Sequence, residues 1–223
     1  MSNAKAGPHP PEPPPGRALG TVLSFIVPGL GQIVQGIIRK DTSRLTKGVF
    51  FLVSLWGMFF YGMAMGQWRN VYLPRYQDHL IEEERNGIGR RAYRFWGVQL
   101  PPLIGNLYTR LHYLGQFWIG AAAWPALWNY YFPGAAILPK YYPAPGAVPQ
   151  GDDLADRRSR DLREFEAEAN RLQTAMGRQW DIAWVYTVIA GVLNILVIYD
   201  AWAGPVHPRR DETAGSEPGE ATA

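Results

Sequence analysis

The sequence predicts an all-α membrane protein of about four transmembrane helices, with a glycine-rich N-terminal hairpin and a long charged helix leading into the last span. Three observations carry this. Residues 18 to 38, 48 to 66, 113 to 139 and 182 to 199 contain no Asp, Glu, Lys or Arg. A charged side chain at the centre of an inserted helix costs roughly 2.5 to 3.5 kcal/mol, and about 20 residues of helix cross the hydrocarbon. The mean hydropathy of -0.17 conceals this segregation of charge. Many of the 9 Trp and 12 Tyr, among them Trp68, Tyr72, Tyr113, Tyr130, Tyr131 and Trp202, flank the apolar runs, where amphipathic rings favour the headgroup level. A soluble protein would bury such helices, and a chain of 223 residues has too little polar surface to cover four of them.

Residues 1 to 17 read as a disordered tail, since Pro11 and Pro13 to Pro15 leave nothing to build a core, and no removable signal peptide is read there. The hairpin occupies 18 to 66: a first span to residue 38, a basic linker at 39 to 47 and a second span from 48. Inside the first span, Pro28, Gly29, Gly31, Gln32, Gln35 and Gly36 combine a helix-bending proline with residues that let backbones approach. Ser24, Pro28, Gly31 and Gln35 recur at helical spacing, so this small and polar stripe should face other helices. Gln32 and Gln35 need partners in an apolar medium, and Ser54, Tyr61 and Asn194 are the candidates. Gly62 and Gly66 form a GxxxG pair, which signals close packing within the bundle.

A polar segment at 67 to 112 follows, with Arg90, Arg91 and Arg94 among aromatic residues in a stretch suited to the membrane surface. Together with Arg39, Lys40, Arg44 and Lys47 these are the candidate lipid-headgroup contacts. The third span, 113 to 133, should be kinked at Pro125, and 134 to 151 is a Pro and Gly-rich loop. From 152 to 203 a charged amphipathic helix should run unbroken into the fourth span, with Leu162, Phe165, Ala169, Leu172, Met176 and Trp180 on one face. That face packs either on the chain's own other loop or, through 152 to 180, on a protein partner. Residues 204 to 223 read as a disordered tail.

The stretches LSFIVPGLGQIVQG, Lys47-Gly48 and NILVIYDAWAGP at 194 to 205 resemble a family of uncharacterised small polytopic bacterial membrane proteins. The hairpin is also similar to the two-transmembrane-helix domain superfamily. The resemblance implies architecture and no chemistry.

Reactive constellations are not read here. The chain has no cysteine and 4 histidines, His9, His79, His112 and His207, without ligand spacing, so no metal or cofactor is expected. Tyr199-Asp200 lacks the second aspartate that proton-sharing hydrolysis needs. Asp200 reads instead as an intramembrane or span-end carboxylate beside Arg209 or Arg39, with Asn194 a second polar group within the last span. The net charge of +3 suits a bilayer rather than nucleic acid. Lys and Arg divide evenly between the two sides of a four-span layout, and the short basic linker 39 to 47 favours a cytoplasmic position in a bacterial inner membrane. The expected role is a non-enzymatic scaffold or assembly component. The alternative is a transporter or channel subunit with a polar path at Gln32, Gln35 and Asn194.

Overall fold

The structure is a computed structural model that describes residues 17–73, 75, 87, 94–96, 98–99, 101–145 and 154–203. The described residues form eight α-helices: α1 (Arg17–Ile26), α2 (Leu30–Ile38), α3 (Thr42–Met65), α4 (Pro102–Thr109), α5 (Leu111–Phe117), α6 (Trp124–Tyr131), α7 (Leu154–Met176) and α8 (Arg178–Ala203). A two-residue antiparallel ladder, β1 (Arg94–Phe95) with β2 (Val98–Gln99), is the only strand pairing among the described residues. Arg90 and Arg91, both terminal tails and most of the loop before α7 lie outside them.

α3 and α8 are long and apolar enough to cross a membrane. At 24 and 26 residues they extend about 36 and 39 Å at 1.5 Å per residue. They run antiparallel, with Lys47 beside Asp200 at one end and Gly62 against Ala183 and Thr187 at the other. The other two charge-free stretches do not form single long helices. Residues 18 to 38 are split because Val27 precedes Pro28, which disfavours helical backbone, and Gly29 takes φ 78°, a left-handed turn. α1 and α2 then fold back on each other, with a Cβ at Gly31 running into the Gly20 carbonyl. Residues 113 to 133 divide into α5, a 3-10 turn at Gly120–Ala122 and α6, with Gly120 at φ 79° and Pro125 in the first turn of α6. The kink expected at Pro125 is thus a full break.

The unbroken helix expected over 152 to 203 is also interrupted, at Gly177, whose φ of 50° separates α7 from α8. The break lets the apolar stripe of α7 turn onto the chain itself. Phe165, Leu172 and Met176 pack against a cluster of Tyr72, Trp180 and Trp184, and Arg69 pairs with Glu168 at 2.7 Å.

α8 is the spine: α1, α2, α3, α5 and α7 all pack on it. The main core lies beside it, built from Phe59, Met63, Tyr113, Ile119, Ala123 and Ala190 with their neighbours. α3 starts cleanly because the Asp41 carboxylate accepts from the Ser43 and Arg44 amides at 3.1 and 3.4 Å. Asp41→Ala should cost about 1 kcal/mol, the usual loss for an N-cap, measured by thermal unfolding in detergent.

Candidate functional site

Buried polar side chains from several elements, Ser24, Gln32, Gln35, Asn70, Gln116, Thr187 and Asn194, form a ladder along α8 from Ala201 to Ala183, roughly 27 Å at 1.5 Å per residue. At one end Lys47 Nζ donates to Asp200 at 2.6 Å, Gln35 Nε2 to the Ala201 carbonyl at 3.4 Å and Arg44 to Gln35 Oε1 at 3.0 Å. Next, Gln32 Nε2 donates to the Val197 carbonyl at 2.9 Å and to Asp200 Oδ2 at 3.3 Å, while Gln32 Oε1 accepts from the Ser24 hydroxyl at 2.9 Å. Halfway along, Asn194 Nδ2 donates to the carbonyls of Ser24 at 3.1 Å and Trp118 at 2.7 Å. Further on, Gln116 Nε2 donates to Thr187 Oγ1 at 2.7 Å and to the Asn70 carbonyl at 3.2 Å. Asn70 Nδ2 closes the series on the carbonyls of Gly62 and Ala183, each at 3.2 Å.

The Asn194 bonds follow from the broken helices: Pro28 has no N–H to offer the Ser24 carbonyl, the turn at Gly120 leaves the Trp118 carbonyl over, and the Asn194 amide satisfies both. The carbonyls of Val197, Ala183 and Gly62 lie in continuous helices and take Gln32 and Asn70 as additional donors. Asn194 sits where the two breaks meet, since a Cβ at Gly120 would run into the Phe25 and Ile26 carbonyls. The Oδ1 of Asn194 and the Oε1 of Gln116 are buried without a hydrogen-bond partner.

The residues singled out from sequence fall into three groups. Pro28, Gly29, Gly31, Gln32, Gln35 and Gly36 are all buried, and Gly29 and Gly36 face the start of α3 through Gly48 and Leu45. Gly62 packs on α8, whereas Gly66 caps α3 against Asn70. The partners of the two glutamines differ from those expected. Ser54 is exposed, Tyr61 is exposed with its ring against that of Tyr186, and Asn194 bonds to backbone rather than to either glutamine. Asp200 pairs with Lys47 and Gln32, because the break at Pro28 brings the start of α3 to the end of α8; Arg39 is exposed and Arg209 lies outside the described residues. Of the basic linker, Arg39 and Lys40 are exposed, while Arg44 and Lys47 are engaged within the protein. Arg94 lies in β1, and its side chain is outside the described set.

Sequence reasoning passed over Asn70, Gln116, Thr187 and the glycines at 20, 115, 120 and 191. Gln116 and Thr187 carried the same signal that marked Gln32, a polar side chain inside a charge-free run.

A second feature lies beyond the other end of the ladder. An open groove of about 460 Å³ is lined by Arg110, His112, Gln173, Asp181 and Trp184 and continues over Val185, Val188 and Ile189. The Arg110 guanidinium lies over the rings of Tyr72 at 4.1 Å and Trp184 at 5.2 Å, and the His112 ring is 5.2 Å from that of Trp184. Burial pulls Arg110 down to about 10, and the charge of Glu166 acts in the opposite direction. Arg110 is a cation at neutral pH with no carboxylate of the described residues in ion-pair contact. Among the described residues no cluster of His, Asp or Glu is arranged to hold a metal.

A model of a protein family of unknown function, DUF6677, matches residues 19–214. This agrees with the resemblance to an uncharacterised family read from the two ends of the chain. No curated protein and no solved structure matches.

Proposed function

For a chain that belongs to DUF6677, a family of unknown function, we propose from its own geometry an integral membrane protein with a scaffolding or assembly role. Lipid as the surrounding medium is supported by the exposure of the two long helices. Only 28% of the apolar window of α3 and 39% of that of α8 is buried, and Phe50, Val53, Leu196 and Tyr199 point outward. The core helix of a soluble protein would be mostly covered.

In that medium α3 and α8 are the two full spans. α1 and α2, at about 15 and 14 Å, are too short to cross a hydrocarbon core of about 30 Å. With α5 and α6 they make two re-entrant hairpins that enter from opposite faces and meet at Asn194. Broken backbone at this depth is tolerated because it is buried in protein and its carbonyls are paired. The start of α1, the linker 39 to 41 and the end of α8 then share one face, and α4, α7 and the start of α8 lie on the other. The concentration of Arg39, Lys40, Arg44 and Lys47 in the shortest connection supports a cytoplasmic position of the first face in a bacterial inner membrane.

The observation that carries the scaffolding role is the use of the buried amides as ties. Gln32 and Gln35 are spent holding α2 to α8 and α3, so they stiffen a platform rather than line a path. The platform presents the outward side of α7, where Arg163, Glu164 and Arg171 are exposed, to a protein partner. With Glu164→Cys in this cysteine-free chain, crosslinking in native membranes should trap a defined heteromeric or homomeric adduct. Recovery of monomer alone under efficient labelling would defeat the role.

A second reading, a transporter or channel subunit, draws on the two opposed re-entrant tips and on the unpaired Asn194 Oδ1. It shifts the polar path from Gln32 and Gln35 to Asn194 and Gln116. Solute flux in reconstituted vesicles that survives Gln32→Leu but is lost in Asn194→Ala, with the fold intact, would favour it over the scaffold.

A further inference from the structure

We infer that the groove between Arg110, Asp181 and the outer face of α8 holds one phospholipid, its phosphate on Arg110 and His112 and an acyl chain along Val185, Val188 and Ile189. The inference rests on the membrane reading above. It starts from Arg110, whose ring stacking leaves the guanidinium edge, with five N–H donors in a fixed fork, turned to acceptors that the described residues do not supply. A phosphate oxygen pair matches that fork. His112, exposed at the same rim, adds a second donor.

The lower part of the groove explains why the phosphate should belong to a lipid. Val185 and Ile189 are exposed on α8 immediately below Asp181, the last charged residue before the charge-free run from 182 to 199. The groove therefore passes from a charged rim to an apolar wall continuous with the lipid-facing surface, at the level marked by Trp180, Trp184 and Tyr72. Asp181, exposed on the same rim, repels a bare anion and suits a headgroup that carries an ammonium next to its phosphate. Phosphatidylethanolamine fits this charge pattern better than phosphatidylglycerol.

Native mass spectrometry of the full chain, released from nanodiscs of equal phosphatidylethanolamine and phosphatidylglycerol, tests this. The wild type should retain one phosphatidylethanolamine. Arg110→Gln should lower retention about tenfold, the loss of one charge-assisted contact. Asp181→Asn should even out the preference between the two lipids. Ile189→Trp, which leaves the arginine stack intact and obstructs the acyl wall, should also lower retention and keeps the test sound if Arg110→Gln does not fold. Equal retention across wild type and these variants overturns the inference. So does a site that takes up inorganic phosphate, protecting against heat at millimolar concentration, while retaining no lipid. Loss of the groove alone leaves a chain that still partitions into membranes, whereas failure of the membrane reading shows as a chain folded in water without detergent.

Discussion

Gly191→Val is expected to destabilise the fold by about 4 kcal/mol or more. A Cβ at 191 would collide with the Gly115 carbonyl oxygen and lie 3.0 Å from its carbon and 3.3 Å from the Gln116 Cα. All three are backbone atoms, so no side-chain rotation relieves the clash and α5 must move away from α8. That movement stretches the Gln116–Thr187 and Asn194–Trp118 hydrogen bonds, which flank Gly191 by about one turn on either side. Overpacking costs about 1 to 3 kcal/mol, and each buried group left without its partner about 1 to 3 more. The total, about 4 kcal/mol or more, is a large share of a stability of roughly 5 to 15 kcal/mol. Gly57 supplies the control, since a Cβ there meets nothing within 4 Å. Gly57→Ala should be neutral or stabilising by up to about 1 kcal/mol through helix propensity alone. Unfolding temperatures in detergent separate the two outcomes.

Asn194→Leu should destabilise by about 2 to 4 kcal/mol. The amide is 0% exposed and its two donors serve carbonyls on different elements, Ser24 in α1 and Trp118 after α5. Leucine nearly matches the side-chain size but leaves both carbonyls unpaired in an apolar surround, at about 1 to 3 kcal/mol each. Ser54→Leu, on the exposed face of α3, should change stability by less than about 0.5 kcal/mol. A loss of equal size in both variants would mean that the meeting of the two breaks has no special energetic weight.

Both predictions concern features that the sequence showed only in part. Charge segregation located all four apolar stretches, and for α3 and α8 it also described the helix. For 18 to 38 and 113 to 139 the same signal was misleading, because apolarity reports the medium and not continuity of the backbone. Pro28-Gly29 and Gly120 with Pro125 were visible, yet a proline in an apolar run bends or breaks a helix depending on whether the freed carbonyls find donors elsewhere. The donor here is the Asn194 amide, which lies far away in sequence from both breaks. The Gly177 break was harder still, since a lone glycine within a helical pattern is usually tolerated. Once α7 and α8 part, the stripe of Phe165, Leu172 and Met176 finds Tyr72 within the chain. The pairing of Asp200 with Lys47 was missed for a topological reason: four full spans would place the start of α3, with the linker, on the face opposite the end of α8.

The absence of cysteine makes that topology directly measurable. Single substitutions Ala18→Cys, Lys40→Cys and Glu164→Cys put one thiol each at exposed positions at the start of α1, in the linker and on α7. Labelling with a membrane-impermeant maleimide in right-side-out and inverted vesicles should modify Ala18→Cys and Lys40→Cys from the same face and Glu164→Cys from the opposite one. Modification of Ala18→Cys and Lys40→Cys from opposite faces would show that residues 18 to 38 cross the bilayer as one span and contradict the re-entrant hairpin.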